Sequence, residues 1–344
     1  MIKVEINLNT MEKHKIDWLN MPGYKGETWN PIIGCSKISE GCKNCYAEKM
    51  AGRLANIGST SYYGNVTRFK NVSGGNEFED PDQWSFEGWN GKTHFVETNI
   101  IQPMSWKKPR MVFVCSMADL FHESVTFPQI DEVVKTIVAC PQHIFILLTK
   151  RPDRMRKFFY WKYEESNYFG NYPIDNIWLG TTAENQKTAN ERIPILLDIP
   201  AAKRFVSIEP MLGEIDLSKY LLKDRQGCPD LDSQWPDTNG NARGPVKCVS
   251  YPRCECGKED QLLNWVICGG ESGSNARPMH PDWARSIRDQ CKEAGTHFFF
   301  KGWGEYRYCQ FVNNPYLSSY TCEKLGKSKT GSELDGHHHK EFPA

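Results

Sequence analysis

The sequence has no excess of charge of either sign: 42 Lys and Arg residues face 42 Asp and Glu residues. That balance excludes a generally basic nucleic-acid coat and a polyacidic tail, while leaving room for a local basic groove. It also lacks any apolar run of the ~18 residues needed to span a membrane. The start, Met1 to Lys15, lacks the charged-then-apolar layout of a secretion signal. The expected compartment is the cytoplasm, with no membrane partner. The 344 residues suffice to bury a large core without covalent staples. One elaborated α/β domain is as consistent with this length as two smaller domains.

Cysteine is the residue in surplus. There are 13, an odd number, so complete pairing within the chain is excluded. In a reducing compartment, clustered cysteines point to metal or redox chemistry. Cys35, Cys42 and Cys45 form one group, and Cys228, Cys248, Cys254 and Cys256 a second. Cys115, Cys140, Cys268, Cys291, Cys309 and Cys322 are scattered and read mainly as small buried hydrophobes.

Short apolar runs alternate with helical spacing over much of the chain. The runs are Met111–Cys115, His143–Leu148, Asn176–Gly180, Arg204–Ile208, Trp265–Cys268 and His297–Lys301. Helices are expected over Phe127–Cys140, Arg151–Trp161, Glu184–Leu197 and Pro281–Ala294, and a further one over Tyr46–Asn56. Repeated βα units imply a parallel sheet, wound into an open sheet or a barrel. We divide the chain into a cysteine loop with its first helix (16–58), an irregular insertion (59–95) and an α/β core (96–222 and 262–310). A cysteine-rich insertion (223–261) and a polar C-terminal tail (311–344) complete it. The stretch Thr28–Cys35 reads as a loop, punctuated by Pro31 and Gly34.

Each apolar run ends in polar residues, and in a parallel α/β fold those ends share one ligand-binding rim. Candidates there include Ser116, Asp119, Thr181, Glu209, Gly269, Gly270 and Glu271, with Glu305, Lys150 and Lys301 nearby in the pattern. Ordinary helix capping is the competing explanation for Thr182 and Asn185.

Cys35-x6-Cys42-x2-Cys45 is the sharpest motif. Three thiols in a loop can hold an iron–sulfur cluster with one iron left open to a ligand. The alternatives are a zinc ion completed by a distant residue, or free or redox-active thiols. The loop contains no histidine. Trp29 and Tyr46 are candidates to shield a cluster from water, Tyr46 being equally readable as a core aromatic. Cys228, Cys248, Cys254 and Cys256 fit a structural zinc, an auxiliary cluster, or a thiol-bearing loop without metal.

These segments resemble a known family. Thr28-Trp29-Asn30-Pro31-Ile32-Ile33-Gly34-Cys35 and Gly41-Cys42-Lys43-Asn44-Cys45-Tyr46-Ala47 carry the likeness, followed by Phe113–Phe121, Leu148–Pro152, Trp178–Asn185, Arg204–Pro210 and Gly269–Gly273. The chain resembles, from Ile16 to Pro343, a phage and prophage family of unknown function named after gene products thirty-seven and sixty-eight. That family is similar to the radical S-adenosylmethionine (SAM) enzymes. The resemblance implies a partial or full (β/α) barrel of radical SAM type with irregular insertions. It implies a [4Fe–4S] cluster on Cys35, Cys42 and Cys45, with SAM on the fourth iron and a 5′-deoxyadenosyl radical as product of its cleavage. It further implies a reductant such as flavodoxin or ferredoxin, and its phage context a nucleotide or DNA-base substrate. Ser116, Asp119, Thr181 and Glu209 are the preferred SAM or substrate contacts, and Gly269, Gly270 and Glu271 are further cofactor-binding candidates.

A second expectation is a non-catalytic, metal-stabilised nucleic-acid-binding protein. Trp29, Trp106, Trp303 and Tyr306 would stack on bases, and Lys107, Lys108, Arg110, Lys150 and Arg151 would meet phosphates.

Overall fold

The computed structural model describes residues 16–59, 61–71, 84–165, 173–221, 262–314 and 317–343. Seven parallel strands form its main sheet, a curled half-barrel flanked by helices. In chain order they are β1 (Lys25–Trp29), β2 (Arg110–Val114), β3 (Ile144–Thr149), β4 (Ile177–Thr182), β5 (Lys203–Ile208), β6 (Trp265–Gly269) and β7 (His297–Gly302). Spatial order equals chain order. Each crossover therefore advances one strand in the same direction, which curls a right-twisted sheet toward a barrel. The helices are α1 (Tyr46–Asn56), α2 (Phe127–Val138), α3 (Pro152–Glu165), α4 (Gln186–Leu197) and α5 (Pro281–Ala294).

Six strands match the six apolar runs to within two residues at either end. The first strand differs from expectation, because Thr28 and Trp29 close β1 instead of opening a loop. Trp29 is fully buried, and its indole donates to the Asn99 carbonyl at 2.7 Å. The loop punctuation begins only at Pro31.

Alternation along the strands separates two apolar layers. Val112, Val114, Phe145, Leu147, Leu179, Val206, Val266, Phe298 and Phe300 face the helices. Met111, Ile146, Trp178, Phe205, Trp265 and Phe299 fill the concave face together with Trp18 and Leu19. Trp265 is the hub of that layer. Its ring lies 6.3 Å from Trp18, 6.1 Å from Trp178, 5.9 Å from Phe205 and 5.5 Å from Phe342. Gly180 admits the Phe205 ring, since a Cβ there would stand 2.2 Å from it. This layer blocks the concave face in the first half of the strands. Polar groups occupy the second half.

The helix starts are set locally. Thr126 caps α2 and Asn185 caps α4, each in a capping box, so Asn185 does serve as a cap. Gly295, at φ 70°, ends α5 in the left-handed conformation.

Two regions are more ordered than their composition implied. Within 59–95, Thr67–Asn71 and Trp84–Trp89 form an antiparallel hairpin, and His94–Phe95 pairs with Ile32–Ile33. Across the boundary set at 310 between core and polar tail, Tyr306–Asn314 and Leu317–Lys324 form a second hairpin. The chain end then covers the free edge of β7: Phe300 N–H donates to the His339 carbonyl at 2.8 Å, and Leu334 is fully buried. The insertion 223–261, with Cys228, Cys248, Cys254 and Cys256, lies outside the described residues.

Candidate functional site

The cysteine loop leaves the carboxyl end of β1 and lies on the rim where every strand of the sheet ends. Gly34 starts it at φ 90°, with space for no side chain: a Cβ would stand 2.4 Å from the Lys92 carbonyl oxygen. Gly34 N–H donates to the Met117 carbonyl at 3.1 Å, which joins the loop to the end of β2. Cys35, Cys42 and Cys45 are all free thiols and half-buried.

Three ion-pair systems hold this loop on the rim. The first centres on Arg151, directly after β3. Its guanidinium pairs with Asp119 at 3.1 Å and Glu123 at 2.8 Å. It also donates to the Ser36 hydroxyl at 2.9 Å and the Ser36 carbonyl at 3.3 Å, and reaches Cys35 Sγ at 3.9 Å. Asp119 is itself held by the Thr149 hydroxyl at 2.7 Å and the Lys150 N–H at 3.2 Å. Burial opposes the charge on Arg151, but Asp119 and Glu123 outweigh it and hold the guanidinium protonated beyond its ordinary range.

The second system centres on Glu184, after β4 and 1% exposed, which accepts from Ser39 Oγ at 2.7 Å and pairs with Arg192 at 3.1 Å. Lys150 stands 3.8 Å away. Gly41 packs against this carboxylate so closely that a Cβ would lie 2.4 Å from its Oε1. The third system joins the end of β6 to the loop. Glu271 accepts from Arg277 Nη2 at 2.7 Å and Nε at 2.8 Å, and Arg277 donates onward to the Glu40 carbonyl at 2.9 Å. Burial opposes the charge on Glu271, yet Arg277 keeps its carboxyl below the usual range.

Electrostatically the thiols sit in one neighbourhood. Burial pushes Cys35 up to about 12, and Asp119 and Cys45 add to the rise while Arg151 opposes it. Burial also raises Cys45, against a pull from Lys150. Among the described residues no group of three or more His, Cys, Asp or Glu side chains forms a set that could hold a metal ion.

The other sequence candidates divide by strand parity. Glu209, Gly269 and Lys301 extend the concave face, and Glu209 and Lys301 form an ion pair there. Thr181 does not join them. Its side chain is fully buried on the helix side and donates to the Thr149 carbonyl at 2.9 Å, so it is a packing residue. Ser116 donates to Asn30 Oδ1 at 3.1 Å, and Asp119 is spent on Arg151 and Thr149. Gly270 is needed for packing, since a Cβ would stand 2.1 Å from the Trp303 carbonyl oxygen. Tyr46, 69% exposed, is no core aromatic, and Trp29 lies in the helix-side layer with its indole on the Asn99 carbonyl.

The residues expected to grip nucleic acid are dispersed. Trp106, Lys107, Lys108 and Arg110 lie at the amino end of β2, with Arg110 over the Trp106 ring at 4.7 Å. Lys150 and Arg151 lie at the opposite end of the sheet. Arg277, Glu40 and Arg192 were not legible as site residues, because what they brace is the cysteine loop: Arg277 meets Glu40 across 237 residues, and Arg192 acts through Glu184 on Ser39, which lies 145 residues from Glu184. No standard motif marks them.

Fold and site together define a parallel α/β half-barrel protein with a three-thiol loop on its carboxyl rim. Over residues 13–343 the chain belongs to the DUF5131 family, described as proteins of unknown function. No curated protein matches the chain, and no solved structure matches it. Among the described residues no helix is long and apolar enough to cross a membrane.

Proposed function

We propose that the chain is a radical SAM-like iron–sulfur enzyme in which Cys35, Cys42 and Cys45 hold a [4Fe–4S] cluster. One observation carries this reading: three half-buried thiols share one loop on the carboxyl rim, pinned there by Arg151, Glu184 and Arg277. The donor set fits such a group. It is all thiol, and a cluster several atoms wide takes thiolates farther apart than those around a single ion. Arg151 at Cys35 and Lys150 near Cys45 offset the negative charge that three thiolates would bring.

When bound, the cluster would supply one electron and an open iron to SAM, whose reductive cleavage would begin hydrogen abstraction from substrate. The chain's own residues do the positioning. Arg151 fixes Cys35 and Ser36 against the end of β3. Glu184 holds Ser39 and shapes the turn at Gly41. Glu271 aims Arg277 at the Glu40 carbonyl, so the far side of the rim braces the loop. The proposed substrate is a nucleotide or a DNA base, and the proposed electron donor a flavodoxin or ferredoxin. The non-catalytic nucleic-acid-binding alternative is weaker, because its residues are split between the two ends of the sheet: Trp106, Lys107, Lys108 and Arg110 at one, Lys150, Arg151, Trp303 and Tyr306 at the other.

The test is anaerobic purification and reconstitution, followed by iron and sulfide assay and EPR of the reduced protein with and without SAM. About four irons per chain are expected, with a signal that SAM perturbs and that a Cys35→Ala/Cys42→Ala/Cys45→Ala variant lacks. Zinc alone, with no iron after reconstitution, would sink the proposal.

A further inference from the structure

A separate pocket of about 160 Å³ opens on the concave face beside the ends of β5, β6 and β7. Its charged lining is Glu209, Lys301, Asp17 and Lys327; its remaining walls are Ser272, Ser332 and glycine backbone. Gly269 makes the arrangement geometrically feasible. It lies on the strand between Glu209 and Lys301, and a Cβ there would meet Lys301 Cβ at 3.3 Å and Glu209 Cγ at 3.4 Å. With no side chain at this position of β6, the carboxylate and the ammonium meet across the intervening strand. Lys340 stands behind them, its ammonium donating to the Phe300 carbonyl at 2.7 Å and interacting with Asp17, Lys301 and Glu209.

Three properties of the pocket narrow its ligand. Both signs of charge converge on it, so a plain anion would meet Glu209 and a plain cation would meet Lys301. No aromatic or aliphatic side chain lines it, which removes the stacking surface a base needs. A volume of about 160 Å³ holds a head group of about six heavy atoms, with the rest of a larger ligand left outside the mouth. The Lys301–Glu209 pair also has capacity to spare. An ammonium has three donors and a carboxylate about four acceptor sites, and their mutual bond uses one of each.

We infer that this pocket binds a compact zwitterion, an α-amino-acid group carried by a ligand distinct from the nucleotide or base proposed above. The ligand carboxylate faces Lys301 and Lys327, and its ammonium faces Glu209 and Asp17. This inference stands apart from the iron–sulfur reading, because none of the three rim cysteines lines the pocket.

The experiment is calorimetric titration of the full-length protein with L-alanine, acetate, methylamine and SAM. Alanine is expected to bind, with acetate and methylamine each at least about tenfold weaker, since each forfeits one charged hydrogen-bonded contact. Glu209→Gln and Lys301→Met should each reduce alanine binding by a similar factor. Lys327→Ala, at the exposed mouth, should weaken it severalfold without burdening folding, which keeps the test decisive if the half-buried Glu209 and Lys301 variants misfold. Acetate binding as well as alanine would overturn the inference in favour of a simple anion site. Displacement of alanine by SAM would overturn it in favour of SAM's own amino-acid end. Absence of alanine binding at any soluble concentration would overturn it outright. None of these outcomes bears on whether Cys35, Cys42 and Cys45 hold iron.

Discussion

Arg151 is the residue on which the cysteine loop depends most. It is 7% exposed, and its planar fork meets two carboxylates, a hydroxyl, a carbonyl and a thiol at once. Truncating it to Met leaves Asp119 buried with an unpaired charge, a loss of ~3–5 kcal/mol for a broken buried pair. Arg151→Lys keeps the charge and discards the fork. The lysine variant should therefore fold, melt at lower temperature, and retain less iron than the parent after anaerobic reconstitution. Calorimetry and an iron assay on the same preparation check this. Equal iron retention would show that the loop does not need the guanidinium. From the sequence, Arg151 was only one cation in Thr149-Lys150-Arg151-Pro152. Its partners Asp119 and Ser36 lie 32 and 115 residues away, and only the fold brings them together.

At the scale of elements, strand parity is readable from the sequence. Phe205, Ser207 and Glu209 share a face by alternation, as do Trp265, Ile267 and Gly269, and Phe299 and Lys301. Thr181 falls on the other face by the same count, where it is found. The tail was harder to read, because its anchors are isolated: Leu334, Asp335, His339 and Phe342. Asp335 adopts φ 54°, which suits Asp or Asn, and two arginines of α5 grip it. Arg285 donates at 2.8 Å and Arg288 at 2.6 Å. Arg285 foremost holds the Asp335 carboxyl down at about 2. A depressed carboxyl stabilises the fold above its ordinary value of 3.8, and that contribution disappears as pH falls toward about 2. The side chain is 37% exposed, so solvent screening keeps the effect to about 1 kcal/mol. Asp335→Asn preserves the turn and should lower the melting temperature by about 2 °C at pH 7. The gap should narrow as the buffer is taken below pH 4. A gap constant with pH would mean the charge is not what holds the turn.

For the whole molecule, a half-barrel has a problem that a closed barrel lacks: an open edge and an uncovered concave face. The two ends of the described chain solve both. Trp18 and Leu19 plug the face from one side. From the other, Glu341 accepts from the Trp265 indole at 2.9 Å, and Phe342 packs on Trp265 and Phe299. Deleting residues 333–344 should expose the edge of β7 and the aromatic layer together. The truncated protein is expected to bind a hydrophobic dye and to elute as aggregates in size-exclusion chromatography, while the full chain does neither. A monomeric, dye-silent truncation would show that the sheet closes without its tail.

By itself the sequence determined the βα rhythm, the helix caps and the three-cysteine loop. Each of these is local: alternation, capping and spacing act over a few residues. It also determined that Cys115, Cys140, Cys268 and Cys291 are buried, since they sit in apolar surroundings, but Cys322, read the same way, is exposed on a strand of the C-terminal hairpin. Only the tertiary structure decided that Lys25–Trp29 opens the sheet, because a short strand with polar members is stabilised by its neighbour β2 and not by its own pattern. Only the tertiary structure decided which polar groups meet. Glu184 with Ser39 and Arg277 with Glu40 join strand ends to the cysteine loop, Glu209 with Lys301 joins two strand ends, and their separation in sequence is set by whatever lies between.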